Sequence, residues 1–128
     1  DDITECFPVD VLVPAPGQGA VAVECRADDK EVIGILSQIN HEDSRIAVFS
    51  ERAFLEGFGG SCEVPVGCHA SVLDNRIRII GLIASPDGRE VVREEIEESV
   101  QNYRSAGQEL ARKIIYKGGS RILSNPSA

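Results

Sequence analysis

A cysteine set among small residues is the feature of this sequence best suited to covalent chemistry. Cys62 lies in the stretch Gly59-Gly60-Ser61-Cys62-Glu63-Val64-Pro65-Val66-Gly67. Glycine and serine before it let a bulky partner or a second stretch of backbone come close to the sulfur. An accessible thiolate of this kind is a nucleophile. The bland alternative is a reduced, inert thiol, although such thiols more often fill strands and helices. His69, seven residues on, would be the conventional general base. No third group is indicated to orient it, however, and it reads as a partly exposed strand histidine; His41 is the only other histidine. Cys62, Cys68 and His69 crowd together, yet Cys-x5-Cys is not a zinc-ribbon spacing and no second pair completes four ligands, so no metal is expected. Pro16-Gly17-Gln18-Gly19-Ala20 carries its glycines before an apolar run rather than between a strand and a helix. It reads as a turn or hinge, not a phosphate loop.

Composition narrows the classes further. The chain has 128 residues, 42% of them hydrophobic and 27% charged, enough for one real core. Thirteen Lys and Arg stand against 21 Asp and Glu, a formal charge of −8, with the bases scattered. Neither nucleic acid nor an anionic membrane surface would be drawn to that field. The apolar run at 79–84 is far too short to span a bilayer, and no signal-peptide pattern opens the sequence. A core of this size needs no disulfides, so Cys6, Cys25, Cys62 and Cys68 are expected to be reduced thiols in the cytoplasm. No Met occurs anywhere, and a sequence opening Asp1-Asp2-Ile3 is expected to be a piece of a longer chain.

The elements that must position these groups follow from periodicity. Pro8, Pro14 and Pro16 forbid a helix in the opening stretch. Residues 20–26 read as a strand buried on both faces, with Cys25 inside it and no partner nearby. Asp28, three residues before Glu31, resembles a capping box, and Val32, Ile35, Leu36 and Ile39 form a helical stripe. A second helix is predicted over about 43–58, with Ile46, Phe49 and Ala53 on one stripe and Phe54 and Phe58 beside it. From Val66 the period changes to two. Strands are predicted over 66–73, from 76 onward, and over 90–97, joined by Asp74-Asn75 and Ser85-Pro86-Asp87-Gly88. A last helix over about 100–117 turns Val100, Tyr103, Gly107, Leu110 and Ile114 inward and stops at Gly118-Gly119. The fold class is α+β, a three-stranded antiparallel sheet covered on one face by helices. Residues 41–128 form that module, and residues 1–40 are a separate attached stretch.

Three blocks resemble the hydroxymethylbilane synthase (porphobilinogen deaminase) family in order and spacing. They are Pro16-Gly17-Gln18-Gly19-Ala20 with Glu24-Cys25-Arg26, Ser50-Glu51-Arg52-Ala53-Phe54-Leu55, and Cys62-Glu63-Val64-Pro65-Val66-Gly67. The resemblance extends through Pro86-Asp87-Gly88 to the last helix, and covers only the C-terminal part of such an enzyme. It implies two periplasmic-binding-protein-like domains followed by a three-stranded sheet with helices on one face. Residues 1–40 would then be the returning strand, hinge and helix of a missing periplasmic-binding-protein-like domain, and 41–128 the cofactor-anchoring domain. It also implies that Cys62 is the cofactor-binding residue, holding dipyrromethane by a thioether. Ser61 departs from the family's usual Gly-Gly before the cysteine, and Glu63 stands where Gln is common. The family's catalytic aspartate and its arginine cluster have no matching block, so no catalytic residue is assigned in this segment.

The expectation is therefore the C-terminal part of the tetrapyrrole-biosynthesis enzyme that polymerises four porphobilinogen into hydroxymethylbilane, losing ammonia each time, on a primer tethered to Cys62. The parent would be a monomeric cytoplasmic transferase of porphyrin and heme biosynthesis. Its partner is the small molecule porphobilinogen, with neither nucleic acid nor membrane. This segment alone is expected to be inactive and to lack the cofactor. The competing expectation is a stand-alone α+β ligand-binding or regulatory interaction module.

Overall fold

A computed structural model describes residues 2–59 and 65–124. Along the chain run α1 (Lys30–Leu36), α2 (Glu42–Glu56), β1 (Val66–Leu73), β2 (Arg76–Ala84), β3 (Val91–Ser99), a 3-10 turn (Val100–Asn102), α3 (Tyr103–Ile114), a π turn (Ile115–Gly119) and α4 (Ser120–Ser124). The three strands form one antiparallel meander in the order β1-β2-β3. Both turns are set by residue type. Asp74 and Asn75 hold φ of 49° and 60°, the two left-handed positions that a type I′ hairpin requires and that these residues tolerate. At the second, the Gly88 N–H donates to Ser85 O at 2.9 Å, with Gly88 at φ 71°.

The helices cover one face of this sheet. Register pairs Cys68 with Gly81, Ala70 with Ile79, and Ile79 with Ile96. Ile77, Ile79 and Ile83 thus share a face with Cys68 and Ala70, and bury it against Phe54, Leu110 and Ile114. Helix α2 starts at Glu42 because His41, in extended geometry, accepts the Ser44 N–H on Nδ1 at 3.3 Å. Glu42 and Asp43 then sit in the favourable first turn. The two helices touch almost backbone to backbone where α2 crosses α3. A Cβ on Gly107 would lie 2.2 Å from Ser50 O, and one on Gly57 would lie 2.4 Å from the Ala111 Cβ. The expected α+β layering is therefore the observed one.

The other face of the sheet is reached by the chain ahead of α1. Val13 lies against Gly67, and Asp10 Oδ1 accepts from Arg78 Nη1 at 3.1 Å. Arg78 also pairs with Glu95 at 2.7 Å, and Arg76 pairs with Glu97. The acidic outer face of β3, with Glu95 and Glu97, is thus partly neutralised by β2.

Several expectations are corrected. Residues 20–26 form no strand: Val21 is 93% exposed and Val23 59% exposed, since among the described residues no second strand offers them a ladder. Cys25 is exposed for the same reason. Helix α1 forms, but it is capped by Asp29 rather than Asp28, ends at Leu36, and buries nothing, leaving Ile35 and Ile39 exposed. Gly118, at φ 117°, kinks the last helix instead of ending it, and α4 follows with Ile122 buried.

On β3, Glu94 faces the helix side of the sheet and meets Lys113 Nζ at 2.7 Å and Lys117 Nζ at 2.5 Å. Hydrogen bonds from Lys113, then Lys117, hold its carboxyl below the ordinary glutamate range. A carboxylate whose folded value is depressed adds stability above its unfolded value, and loses it as pH falls through the depressed one. Glu94→Gln is therefore expected to melt below the parent chain at neutral pH. The gap should close as pH drops below about 4.3, the unperturbed value. Thermal melts that show the same gap in acid and at neutrality would refute this.

Candidate functional site

The connection between α2 and β1 carries the candidate nucleophile. Cys62, with Gly60, Ser61, Glu63 and Val64, lies outside the described residues, but both roots of the connection are defined. At the first, Gly57 is packed beneath Ala111 of α3, and Gly59 takes φ 88°. At the second, Pro65 O accepts the Ala84 N–H at 3.0 Å, fastening the start of β1 to the end of β2.

The remaining cysteines differ sharply in chemistry. Cys68 has no exposed surface. Burial, and secondarily the charge of Glu51, push its thiol well above the ordinary range, so it stays protonated and unreactive. Cys6 and Cys25 are exposed, and no strand shields Cys25. A thioether requires an accessible thiol. By that test Cys68 does not fit a covalent cofactor, whereas Cys6 and Cys25 meet the requirement of exposure.

Neither histidine is placed as a base by the described residues. His41 caps α2, with its Nδ1 also 2.9 Å from Ser44 Oγ. His69 stands on β1, on the face away from the helices, with its Nδ1 3.9 Å from Glu51 Oε1. Among the described residues no three His, Cys, Asp or Glu side chains gather as metal ligands. No helix there is long and apolar enough to cross a membrane.

Glu51 is the residue that sequence reasoning missed. It is only 6% exposed, on the inner side of α2. Its Oε1 accepts the Ala70 N–H of β1 at 2.7 Å, and its Oε2 accepts the Gly17 N–H at 2.6 Å. Gly17 belongs to the predicted hinge, which is a tight turn: Gln18 N–H donates to Ala15 O at 3.0 Å, with Pro16 and Gly17 at the corner and Gly17 at φ 75°. That is type II geometry, which needs glycine at its third position. The available signal was a lone acid on the apolar side of a helix, four residues after Ala47 and three before Phe54.

Comparison with known proteins bears on this geometry. The family description "Porphobilinogen deaminase, C-terminal domain" matches residues 45–116, more than half of the chain. The chain belongs to the porphobilinogen deaminase family. A second description of that family, "Porphobilinogen deaminase, dipyromethane cofactor binding domain", matches residues 1–34. Porphobilinogen deaminase of Pelotomaculum thermopropionicum is 43% identical over 123 residues, 96% of this chain and 39% of that protein. The enzyme so named from Desulforamulus reducens is 39% identical over 128 residues, all of this chain and 41% of its own. That of Clostridioides difficile is 35% identical over 115 residues, 90% of this chain and 38% of its own. The chain thus spans about two-fifths of the length of these curated relatives. In porphobilinogen deaminase terms, Cys62 falls within the C-terminal match, while the cofactor-binding description covers the Gly17 turn.

Proposed function

We propose that this chain is the C-terminal part of an enzyme that joins four porphobilinogen into hydroxymethylbilane, with Cys62 as the covalent anchor of a dipyrromethane group. The observation that carries this reading is that both family matches fall on the one chain, with Cys62 on a connection held at both roots by packed elements. When bound, the group would supply the primer on which the product grows. What the chain's own residues do is narrower. Cys62 supplies a thiolate, Cys68 is kept neutral and out of competition by burial, and α2 and β1 hold the two ends of the connection. With a net charge of −8, the segment is a poor binder of carboxylate-rich substrate, so substrate binding and proton transfer fall to residues outside it.

The domain division proposed is 1–40 and 41–128. Ile3, Phe7, Val21, Val23, Ile35 and Ile39 are all exposed ahead of residue 41, which supports the reading that this stretch packs on chain beyond the segment. We place the parent enzyme in the cytoplasm as a monomer, with porphobilinogen as its substrate and neither nucleic acid nor membrane as partner.

The deciding measurement is an intact mass of the full-length enzyme from cells, followed by peptide mapping. An adduct of dipyrromethane mass on the Cys62 peptide is expected, and Cys62→Ser should remove it. An adduct on Cys6 or Cys25 would sink the assignment. An unmodified, inactive full-length protein would favour the stand-alone module.

A further inference from the structure

The two regions matched by the family descriptions, 1–34 and 45–116, meet in this structure through a backbone hydrogen bond, a surface ion pair and one buried carboxylate. We propose that Glu51 is a positioning latch, tying the turn at 15–18 to the free edge of β1 and so fixing the incoming chain against both roots of the Cys62 connection. Its relevance to the reaction rests on the reading of Cys62 above; the latch itself does not.

The geometry is specific to a carboxylate. Strand β1 is an edge strand, so its outward N–H groups need acceptors. Pro14 O takes the Cys68 N–H at 2.8 Å, and Glu51 Oε1 takes the Ala70 N–H. Glu51 Oε2 then takes Gly17, which follows Pro14 by three residues. Two N–H donors converge on one side chain, one on each of the two acceptor oxygens of the carboxylate. Both bonds are short, as charge-assisted bonds are, and the side chain is almost wholly shielded from water. Glutamine offers one oxygen and one NH2, so one of the two backbone donors would face another donor. Ala70 is held by the ladder of β1 with β2, whereas beyond the Pro14–Cys68 bond the turn has only its own internal hydrogen bonds, so Gly17 is the partner that would be released. Glu51 also stands on the helix that leads to Cys62, and Ala70 on the strand that leaves it. One side chain therefore sets three segments.

The test begins with the 128-residue chain by NMR. Scalar couplings across hydrogen bonds are expected from the Gly17 and Ala70 amides to the Glu51 carboxyl carbon. The Gly17 amide should exchange at least roughly tenfold more slowly than in an unstructured peptide, the worth of one charged hydrogen bond. Glu51→Gln should abolish the Gly17 protection and leave the amides of β2 protected. Gly17 exchanging at the peptide rate in the parent chain, or unchanged in Glu51→Gln, would overturn the latch. If that variant does not fold, the couplings in the parent chain decide alone. In the full-length enzyme, Glu51→Gln should lower kcat by roughly tenfold with KM held within about twofold, and keep the adduct on Cys62. An unchanged kcat would overturn the positioning role. An adduct absent from the unsubstituted enzyme would instead overturn the reading of Cys62, with the couplings still standing.

Discussion

Phe54→Ala is expected to lower the unfolding free energy by about 3–5 kcal/mol, the usual cost of emptying a fully buried aromatic site. Phe54 has no exposed surface, and its ring meets Phe58 edge-on with centroids 5.0 Å apart. It also fills the space above Gly81: a Cβ on that residue would lie 2.5 Å from Phe54 Cζ and 3.0 Å from Leu110 Cδ2. This arrangement makes a second-site result predictable. Gly81→Ala alone gains about 0.5–1 kcal/mol of backbone entropy in a strand, but forces the ring aside, an overpacking cost of about 1–3 kcal/mol. In the Phe54→Ala background the ring is gone and the Leu110 methyl can shift into the vacated space. The double variant should therefore be more stable than the sum of the singles by at least about 1 kcal/mol. Urea titrations of the four proteins measure it; strict additivity would show that ring and glycine do not share the space.

Gly107→Ala should be nearly as damaging, for the opposite reason. Alanine is the better helix former by about 1 kcal/mol. At Gly107, however, its methyl would meet Ser50 O at 2.2 Å, Phe54 N at 2.9 Å and the Ala53 Cβ at 3.2 Å. Two of these are backbone atoms of α2, which cannot rotate away. Relief requires the helices to part, exposing Leu110 and Phe54 along the seam. Overpacking at the upper end, about 3 kcal/mol or more, outweighs the propensity gain. A net loss of about 2 kcal/mol corresponds to a melting temperature lower by roughly 8–16 °C in a module of this size. A variant that melts at or above the parent would mean that the crossing has room to spare.

The meander was legible because turn chemistry and alternation agree. Asp74-Asn75 and Pro86-Asp87-Gly88 admit few backbones, and the flanking residues alternate on either side. Strand ends still differ, β3 running to Ser99 rather than Glu97. Where the reading failed, a local pattern stood in for a partner it could not see. The 20–26 run is apolar enough for a strand, but a strand exists only through its neighbours, and none pairs with it among the described residues. Gly118 looked like a stop because glycine permits a left-handed residue; the chain uses that freedom to bend and resume as α4. At the site, Cys62 stood out through its small neighbours. Glu51 did not, because a solvated and a buried glutamate have the same letter, and its two donors lie 34 and 19 residues away.

The order of elements also sets a schedule for synthesis. Helix α2 leaves the ribosome before any surface that covers Phe54, and α3, its partner across Gly107, is complete only at Ile114. At 5–20 residues per second that interval is roughly 3–12 s. Until then α2 can lean only on β1 and β2, with the side that meets Gly107 and Leu110 open to water or to whatever chaperone is at hand. The hairpins between are sequence-local and can close as they emerge. Nascent-chain quality control would therefore meet this module as a closed meander with a half-covered helix on it, and α3 is the element that completes the cover.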